Sequence, residues 1–406
     1  MTTKVLRYIG VGITATALVA AAAACGSSKK DDNGSGSGSG SGSNSGKSVT
    51  IGFMGAQTGT SAQLGINESN GVQLALNEHN AKKGATQVKY AVYDTQGDPT
   101  QASSQARKAI QDMKAKNLVA LIGPAFSGES KTSLPILDQA KLPNISPSAT
   151  NVQLGQQKYK YWHRVLANDD VQGPGDADFI ANTLKAKKVA VIDDQSDYGK
   201  GLGDAARTQL KKDGVTVNPS DKIDPNASDY SSTVNTIKAA NPDAVFFAGY
   251  YAAAAKLVKQ LRDAGFKGSY MSGDGSQDQE IAKQGGPSAN GAILSCTCSL
   301  AIGSSTPAVA AFDKNYQAKW GSQPSTYSSE AFDATNIYLQ AIDAGKTTPE
   351  AINDYLKTVN YTGVSKQIKF ASNGELQNSL LFISEVINGK LTYLGDAKTV
   401  KPKPGA

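Results

Sequence analysis

Short apolar runs alternate with longer segments of helical periodicity along most of the chain after residue 48. In the first part, strands are predicted over 49–54, 88–93, 118–122 and 142–145, and amphipathic helices over 67–81, 99–113 and 131–139. Apolar strands separated by helices are typical of a parallel sheet that helices cover on both faces. The pattern therefore predicts an α/β unit.

A second series of the same kind begins after residue 169. Strands are predicted over 188–193, 215–223, 244–248, 269–271 and 292–294, and helices over 170–184, 201–212, 230–240 and 252–264. Helices over 309–320, 329–344 and 349–358 then precede a β-rich tail over 364–394. Because 406 residues exceed one ordinary domain, we expect two α/β lobes, each a doubly wound parallel sheet.

The N-terminus lacks this alternation and predicts export. Lys4 and Arg7 precede an uncharged stretch over 8–24 that ends in small residues before Cys25. These 17 residues are short for a bilayer core of about 30 Å, so a cleaved signal is favoured over a transmembrane anchor. The Gly- and Ser-rich residues up to 47 predict a flexible tether that spans roughly 25 Å.

Charge and composition disfavour several classes of function. The net charge of +6 falls to +4 without the signal, and no long basic run occurs, so nucleic acid is not an expected partner. Two histidines and three cysteines disfavour zinc sites and histidine-based catalysis. His163 is expected to be packed, and the adjacent acids at 169–170 and 193–194 are expected to cap helices or face solvent. We expect no enzyme activity, no metal and no cofactor.

Candidate binding residues follow predicted strands, where open α/β sheets bind ligands. Ser127 and the run 146–150 supply hydroxyl groups in the first series, and Tyr250 and Asp274 follow strands of the second. Read singly, each is ordinary turn chemistry, and Ser127 alone is best explained as a helix N-cap. Together they pair hydroxyl donors with a carboxylate, which is what a zwitterion requires.

Five short motifs are more specific than these single residues. They are V-Y-D with D-P at 92–94 and 98–99, L-I-G-P at 121–124, S-P-S-A-T at 146–150, D-D-V-Q-G-P at 169–174 and D-Y-G-K-G at 197–201. With them, the chain from 49 to about 394 resembles the branched-chain amino-acid (leucine/isoleucine/valine) binding proteins of ABC importers. The resemblance implies the type I periplasmic fold, in which two lobes are joined by three crossovers and close on a ligand by hinge motion.

The resemblance also implies how the chain is divided. Cys25 follows small residues and resembles the lipidated cysteine of bacterial lipoproteins, although Ala22 stands where that family usually has Leu. The expected parts are a signal peptide (1–24), a lipidated cysteine and tether (25–47), an N-terminal lobe (48–168 plus 298–378), a C-terminal lobe (169–297 plus 379–398) and a tail (399–406).

The implied ligand site draws on both lobes. Ser127, Thr150 and the backbone of Ser148, with Ala149 in the same run, would hold the ligand carboxylate. Asp274 would meet the ammonium with Tyr250 beside it, and the side-chain pocket would be lined by Tyr198, Leu64 and Tyr327. Two departures leave the identity of the amino acid open: Asp274 replaces the usual Glu and is one methylene shorter, and Leu64 replaces an aromatic residue of many relatives.

Cys296 and Cys298 fall where the resemblance places a crossover. Cysteines outside the cytoplasm are expected to oxidise. On one face of a strand their Cα atoms would lie about 6.6 Å apart, at the long end of disulfide geometry. We predict a C-x-C disulfide, with metal binding as the weaker alternative.

The resemblance implies an extracytoplasmic, lipid-anchored binding protein at the outer face of the membrane. Its expected ligand is an L-α-amino acid with a branched-chain or other apolar side chain, and its expected partners are an ABC permease and ATPase. We expect a monomer. The alternatives are a receptor that senses a ligand for a membrane partner, a related small amide or carboxylate as ligand, and a surface hydrolase, for which no suitable base near Ser127 is evident.

Overall fold

The computed structural model describes residues 48–299, 306–377 and 380–401. The strands are β1 (Val49–Gly55), β2 (Val88–Asp94), β3 (Leu118–Ile122), β4 (Asn144–Ser146), β5 (Trp162–Arg164), β6 (Lys188–Asp193), β7 (Thr216–Lys222), β8 (Ala244–Ala248), β9 (Ser269–Ser272), β10 (Ala292–Cys296), β11 (Asn360–Thr362), β12 (Gln367–Lys369), β13 (Phe382–Ile387) and β14 (Lys390–Asp396). The helices are α1 (Ala62–Asn80), α2 (Pro99–Ala115), α3 (Ser127–Gln139), α4 (Val152–Gln156), α5 (Asp169–Asp178), α6 (Asp197–Lys212), α7 (Ser231–Ala240), α8 (Tyr251–Asp263), α9 (Gln279–Gly285), α10 (Pro307–Trp320), α11 (Ser328–Asp343) and α12 (Pro349–Leu356), and a π-helical turn (Phe179–Thr183) extends α5.

Two sheets form the framework of two lobes. The first has the order β2-β1-β3-β4-β5 and is parallel throughout. The second has the order β14-β13-β10-β9-β8-β6-β7, in which β6 to β10 are parallel. Every residue of the central strands β3 and β8 is buried, as expected for parallel strands covered on both faces.

The second sheet ends in two antiparallel strands, which the prediction of purely parallel lobes did not include. Strand β13 pairs antiparallel with β10, and β14 pairs antiparallel with β13. Asn388 and Gly389 connect β13 to β14 with φ angles of 50° and 73°. Positive φ at both residues of an Asn-Gly pair is typical of a tight hairpin turn, and such a turn can only join antiparallel neighbours.

The chain crosses between the lobes after β5, after β10 and after β12. Helices α10, α11 and α12 follow the second crossing and return to the first sheet, where Phe312, Ile337 and Ile352 join Ile51 in one core cluster. We call the three linking segments the first, second and third connections. The first lobe is therefore built from two separate stretches of chain.

Three helices begin earlier than predicted, and glycines in their first turns explain the difference. Helix α1 begins at Ala62, α3 at Ser127 and α6 at Asp197, each about one turn before the predicted start. Glycine lowers helix propensity, but here it permits close packing. A Cβ on Gly65 would lie 1.8 Å from the carbonyl oxygen of Ala56, and a Cβ on Gly199 would lie 2.5 Å from that of Ala248.

Lys366 forms a buried ion pair with Glu330 and also contacts the backbone of the first two connections. The Lys366 ammonium donates to Oε1 of Glu330 at 2.7 Å and to the carbonyl oxygens of Val165 at 3.3 Å and Thr297 at 3.2 Å. The side chains of Lys366 and Glu330 are 2% and 0% exposed, so neither charge is hydrated by bulk water. The three donors of the ammonium match three acceptors from different segments of the chain.

We predict that Lys366→Met destabilises the protein by about 3–5 kcal/mol, because it leaves the buried Glu330 carboxylate without its cation. The free energy of unfolding from urea titration measures this loss. Lys357→Met is the matched control, since the Lys357–Asp354 pair is exposed and contributes little. Equal small losses in the two variants would contradict the assignment.

Candidate functional site

Asp274 lies at the carboxyl end of β9 and is completely buried. Tyr198, from α6, donates to Oδ1 at 2.6 Å, and Tyr327, which precedes α11, donates to Oδ2 at 2.6 Å. Burial raises the pKa of Asp274, although both hydrogen bonds oppose that shift. Since Tyr327 belongs to the first lobe, the carboxylate is held from both sides.

Tyr327 reaches Asp274 from an uncommon backbone conformation. Its φ of 68° lies in the left-handed region, which bulky side chains rarely adopt. Its ring is buried, and its backbone carbonyl accepts the first hydrogen bond of α11 from the N–H of Ala331 at 3.0 Å. Residues held in such a conformation cluster at functional sites, and here the conformation accompanies a hydrogen bond between lobes.

The predicted hydroxyl residues lie together in the first lobe, all of them buried. Ser127 Oγ accepts from the backbone N–H of Asn151 at 3.2 Å, and Ser148 Oγ donates to the carbonyl of Ala125 at 2.5 Å. Within the part of the chain that the structure describes, Thr150 Oγ1 has no hydrogen-bond partner. Ala149 lies between Ser148 and Thr150, and its N–H donates to Ser146 Oγ at 3.0 Å.

The interpretation of Ser127 as a helix N-cap is wrong. Ser127 is the first residue of α3, and the N-cap position is Phe126, whose N–H donates to Glu129 Oε2 at 3.0 Å. The Glu129 side chain therefore satisfies the helix start. The Ser127 hydroxyl instead links α3 to the run that carries Thr150.

Asp169 lies close both to the hydroxyl-bearing run 146–150 and to Asp274. Its N–H donates to the Thr150 carbonyl at 3.0 Å, and its carboxylate lies near the Thr150 hydroxyl without hydrogen-bond geometry. Burial, followed by the nearby Asp274 charge, raises the pKa of Asp169 to about 7. Both oxygens of Asp176 also lack partners among the described residues, and burial raises its pKa well above the usual range.

The sequence interpretation missed these two acids. It assigned Asp169 to capping or solvent and did not single out Asp176. The available signal was their spacing, because Asp169, Gln172 and Asp176 repeat at helical intervals on one buried face of α5. Asp194 was also assigned to solvent or capping, and it is buried and accepts from the Tyr250 N–H at 3.3 Å.

The predicted side-chain pocket residues come together in one apolar region. The Tyr250 ring lies 5.0 Å from the Phe126 ring and 5.1 Å from the Tyr198 ring. Leu64 and Tyr327 are buried in the same apolar cluster as Phe126. The region thus combines side chains from both lobes around Asp274.

Polar contacts join the two lobes on either side of this region. On one side, Lys131 Nζ lies 2.5 Å from Asp197 Oδ1, and Asn151 Nδ2 donates to the Asp197 carbonyl at 2.7 Å. On the other, Asn67 Nδ2 donates to Asp278 Oδ2 at 2.8 Å. A cavity of about 230 Å³ lies at the first side, lined by residues that include Ser127, Lys131 and Asp197.

The cysteines of the second connection are bonded to each other. Cys296 and Cys298 form a disulfide with a Cα–Cα distance of 5.0 Å, shorter than the spacing expected along a strand. Strand β10 ends at Cys296, so the Cα–Cα distance to Cys298 is not fixed by the extended spacing of a strand. Cys25 lies outside the described residues.

Other expectations concern packing and the membrane. His163 packs edge-on against Phe370 with ring centroids 4.7 Å apart, and burial lowers its pKa to about 3, which keeps the ring neutral. None of the helices in the described ranges combines the length and the apolar character of a membrane-spanning helix. The same ranges contain no cluster of three His, Cys, Asp or Glu side chains placed to hold a metal ion.

Comparisons with known proteins agree with this architecture. A family model described as periplasmic binding protein matches residues 48–390. An amino acid binding protein of Pseudomonas aeruginosa is 34% identical over 242 residues, which are 59% of this chain and 64% of that protein. A Leu/Ile/Val/Thr-binding protein of Salmonella typhimurium is 29% identical over 335 residues, 81% of this chain and 88% of that protein.

Two solved structures are similar over nearly their whole length. The leucine binding protein LivK of Thermotoga maritima has a TM-score of 0.79 at 28% identity, covering 86% of this chain and 98% of that one. The branched-chain amino acid transporter substrate binding protein LivJ of Streptococcus pneumoniae, solved with isoleucine, has a TM-score of 0.80 at 27% identity, covering 88% and 100%. The predicted type I periplasmic fold and the prediction of a binding protein rather than an enzyme are confirmed. With a family match over most of its length, the chain belongs to the periplasmic binding protein family.

Proposed function

We propose that the protein is the extracytoplasmic substrate-binding component of an ABC importer, and that it binds an L-α-amino acid with an apolar side chain between its lobes. The observation that carries this proposal is the buried Asp274 carboxylate, which Tyr198 of one lobe and Tyr327 of the other hold by hydrogen bonds of 2.6 Å each. The names of the relatives, which include leucine and Leu/Ile/Val/Thr-binding proteins, support the same class of ligand.

Each end of an amino acid has a suitable partner. The ligand carboxylate would accept from the Ser127 and Thr150 hydroxyls near the positive N-terminal end of α3. A carboxylate offers about four lone-pair sites, so Asp274 can accept from an ammonium in addition to Tyr198 and Tyr327. The apolar side chain would lie against Leu64 and the neighbouring aromatic rings.

Closure would follow from the division of these partners between the lobes. A ligand that satisfies both sets of groups favours the form in which the lobes meet. The contacts of Lys131 with Asp197 and of Asn67 with Asp278 would then form at the two edges of the cleft. A permease would recognise this closed form.

The N-terminal sequence supports attachment to the membrane by a lipid. In this proposal Cys25 becomes the acylated first residue of the mature protein. The Gly- and Ser-rich residues that follow would let the two lobes move above the membrane surface, where a permease is reached.

We predict that Asp274→Asn, which keeps the size of the side chain and removes its charge, weakens L-leucine binding by about 3 kcal/mol or more, roughly 100-fold. Calorimetric titration measures the dissociation constant. Asp333→Asn is the control, because Asp333 is a buried carboxylate that accepts from the N–H groups of Val364 and Ser365 on the first lobe. Binding within twofold of the parent would refute the role of Asp274.

We predict that L-leucine affinity rises with pH across neutrality, the range in which Asp169 ionises with a pKa of about 7. Burial raises the pKa of Asp274, and a protonated acid cannot pair with an ammonium, so binding weakens as pH falls. Asp169, with a pKa of about 7, and Asp176 face the same region and would add negative charge as they ionise. Tyr198 and Tyr327 stay neutral because burial raises their pKa values.

Calorimetry across this pH range measures that trend, with Asp274→Asn as the reference. The variant should retain only the weaker dependence that Asp169 and Asp176 produce. A parent protein whose affinity is constant over the range would contradict the prediction.

We predict that Cys25→Ser abolishes lipid attachment. Cells fed radiolabelled palmitate should label the parent protein and not the variant, and the variant should move from the membrane fraction to the soluble extracytoplasmic fraction. Equal labelling of both proteins would show that Cys25 is not the acylated residue.

A further inference from the structure

Arg164 and Glu375 form a buried, two-pronged ion pair. Arg164 Nε donates to Glu375 Oε2 at 2.8 Å, and Nη2 donates to Oε1 at 2.5 Å. The two side chains are 0% and 16% exposed. Arg164 lies on β5, at the start of the first connection, and Glu375 lies on the third connection between β12 and β13. The pair therefore joins the end of β5, where the first connection starts, to the third connection.

The remaining donors of Arg164 hold the hydroxyl-bearing run. Nη1 donates to the carbonyls of Ala149 at 2.9 Å and Asn151 at 3.1 Å. These two carbonyls flank Thr150, whose hydroxyl is unpartnered among the described residues. A planar guanidinium fixes the angle between its donors. Arg164, which also binds Glu375, therefore sets the direction of the hydroxyl-bearing run.

The surroundings leave room for this arrangement and steady it. The guanidinium lies 5.0 Å from the centre of the Trp162 ring. The backbone N–H of Arg164 donates to the backbone carbonyl of Gly374 at 3.0 Å. A Cβ on Gly155 would lie 1.8 Å from Glu375 Oε1, so glycine there admits the carboxylate.

Stability alone gives a weak reason to bury such a pair. Replacing a buried ion pair by apolar side chains is often neutral or stabilising, because the charges lose their hydration. An apolar pair, however, could not direct two carbonyls of one run while fixing a second segment. The geometry of the donors is thus the property that an apolar replacement would lose.

We propose that Arg164 and Glu375 are a positioning pair, which orients the run 148–151 for the ligand carboxylate. The inference rests on the proposed amino-acid binding. Neither side chain needs to touch the ligand, because Arg164 acts through the backbone carbonyls on either side of Thr150.

The test uses Glu375→Gln, which keeps the shape of the side chain and removes the charge that aligns the guanidinium. Arg164→Lys is measured in parallel, because it keeps the positive charge and loses the fork. Asp193→Asn is the matched control: its Arg207–Asp193 pair is buried to a similar degree, with an N–O distance of 2.6 Å, and lies on the second lobe.

Two readouts are taken for each folded variant. Calorimetry gives the dissociation constant for L-leucine well below the melting temperature, where a merely structural loss leaves the folded protein's affinity unchanged. Hydrogen exchange of the ligand-free protein reports on the amides of residues 148–154. We expect the dissociation constant to rise tenfold or more, and exchange in 148–154 to accelerate, in Glu375→Gln and Arg164→Lys but not in Asp193→Asn.

The outcomes separate this inference from the proposed function. Affinity within twofold of the parent in both test variants would overturn it, as would equal losses in the Asp193→Asn control. If the parent binds none of the twenty amino acids, the proposed function fails. The pair is then judged by exchange alone, where faster exchange in 148–154 supports positioning and unchanged exchange overturns it.

Discussion

A carboxylate that is removed from water must be held by hydrogen-bond donors or a cation, and Asp274 imposes this requirement on both lobes. Tyr198 supplies one donor from the second lobe and Tyr327 supplies the other from the first. The second donor is available only while the lobes are together. Burial of one side chain therefore links the position of the lobes to the chemistry of the site, and the left-handed backbone of Tyr327 accompanies that link.

Two further acids make the same region favourable for a cation. Asp169 and Asp176 lie near Asp274, and their burial raises the pKa of each. Such groups repel one another when ionised and would gain from a positive charge placed among them. In the proposed function the ligand ammonium is that charge. The two basic side chains described at the connections, Arg164 and Lys366, are already engaged with Glu375 and Glu330.

The sequence predicted what depends on local pattern. Strands β3, β6 and β8 have the predicted bounds, because each is a short apolar run between polar turns. Ser127 and Asp274 were chosen as candidates because each follows a predicted strand, and the structure buries both side chains. The starts of α1 and α6 were predicted too late, because Gly65 and Gly199 have low helix propensity. Both glycines are needed there for close contact with backbone that is distant in the sequence. Arg164 and Glu375 are 211 residues apart, and no local pattern predicts that they meet.

The hydrogen bonds of Asp274 have a fixed direction. Tyr198 Oη accepts from the Gly275 N–H at 2.9 Å, so its own proton is directed to Asp274. The Tyr327 hydroxyl also donates to the carboxylate. Asp274 is consequently an acceptor in both bonds, which favours its ionised form against the effect of burial. The two hydrogen bonds thus limit the rise in the pKa of Asp274 that burial causes, and the remaining lone pairs of its carboxylate can accept from a ligand cation.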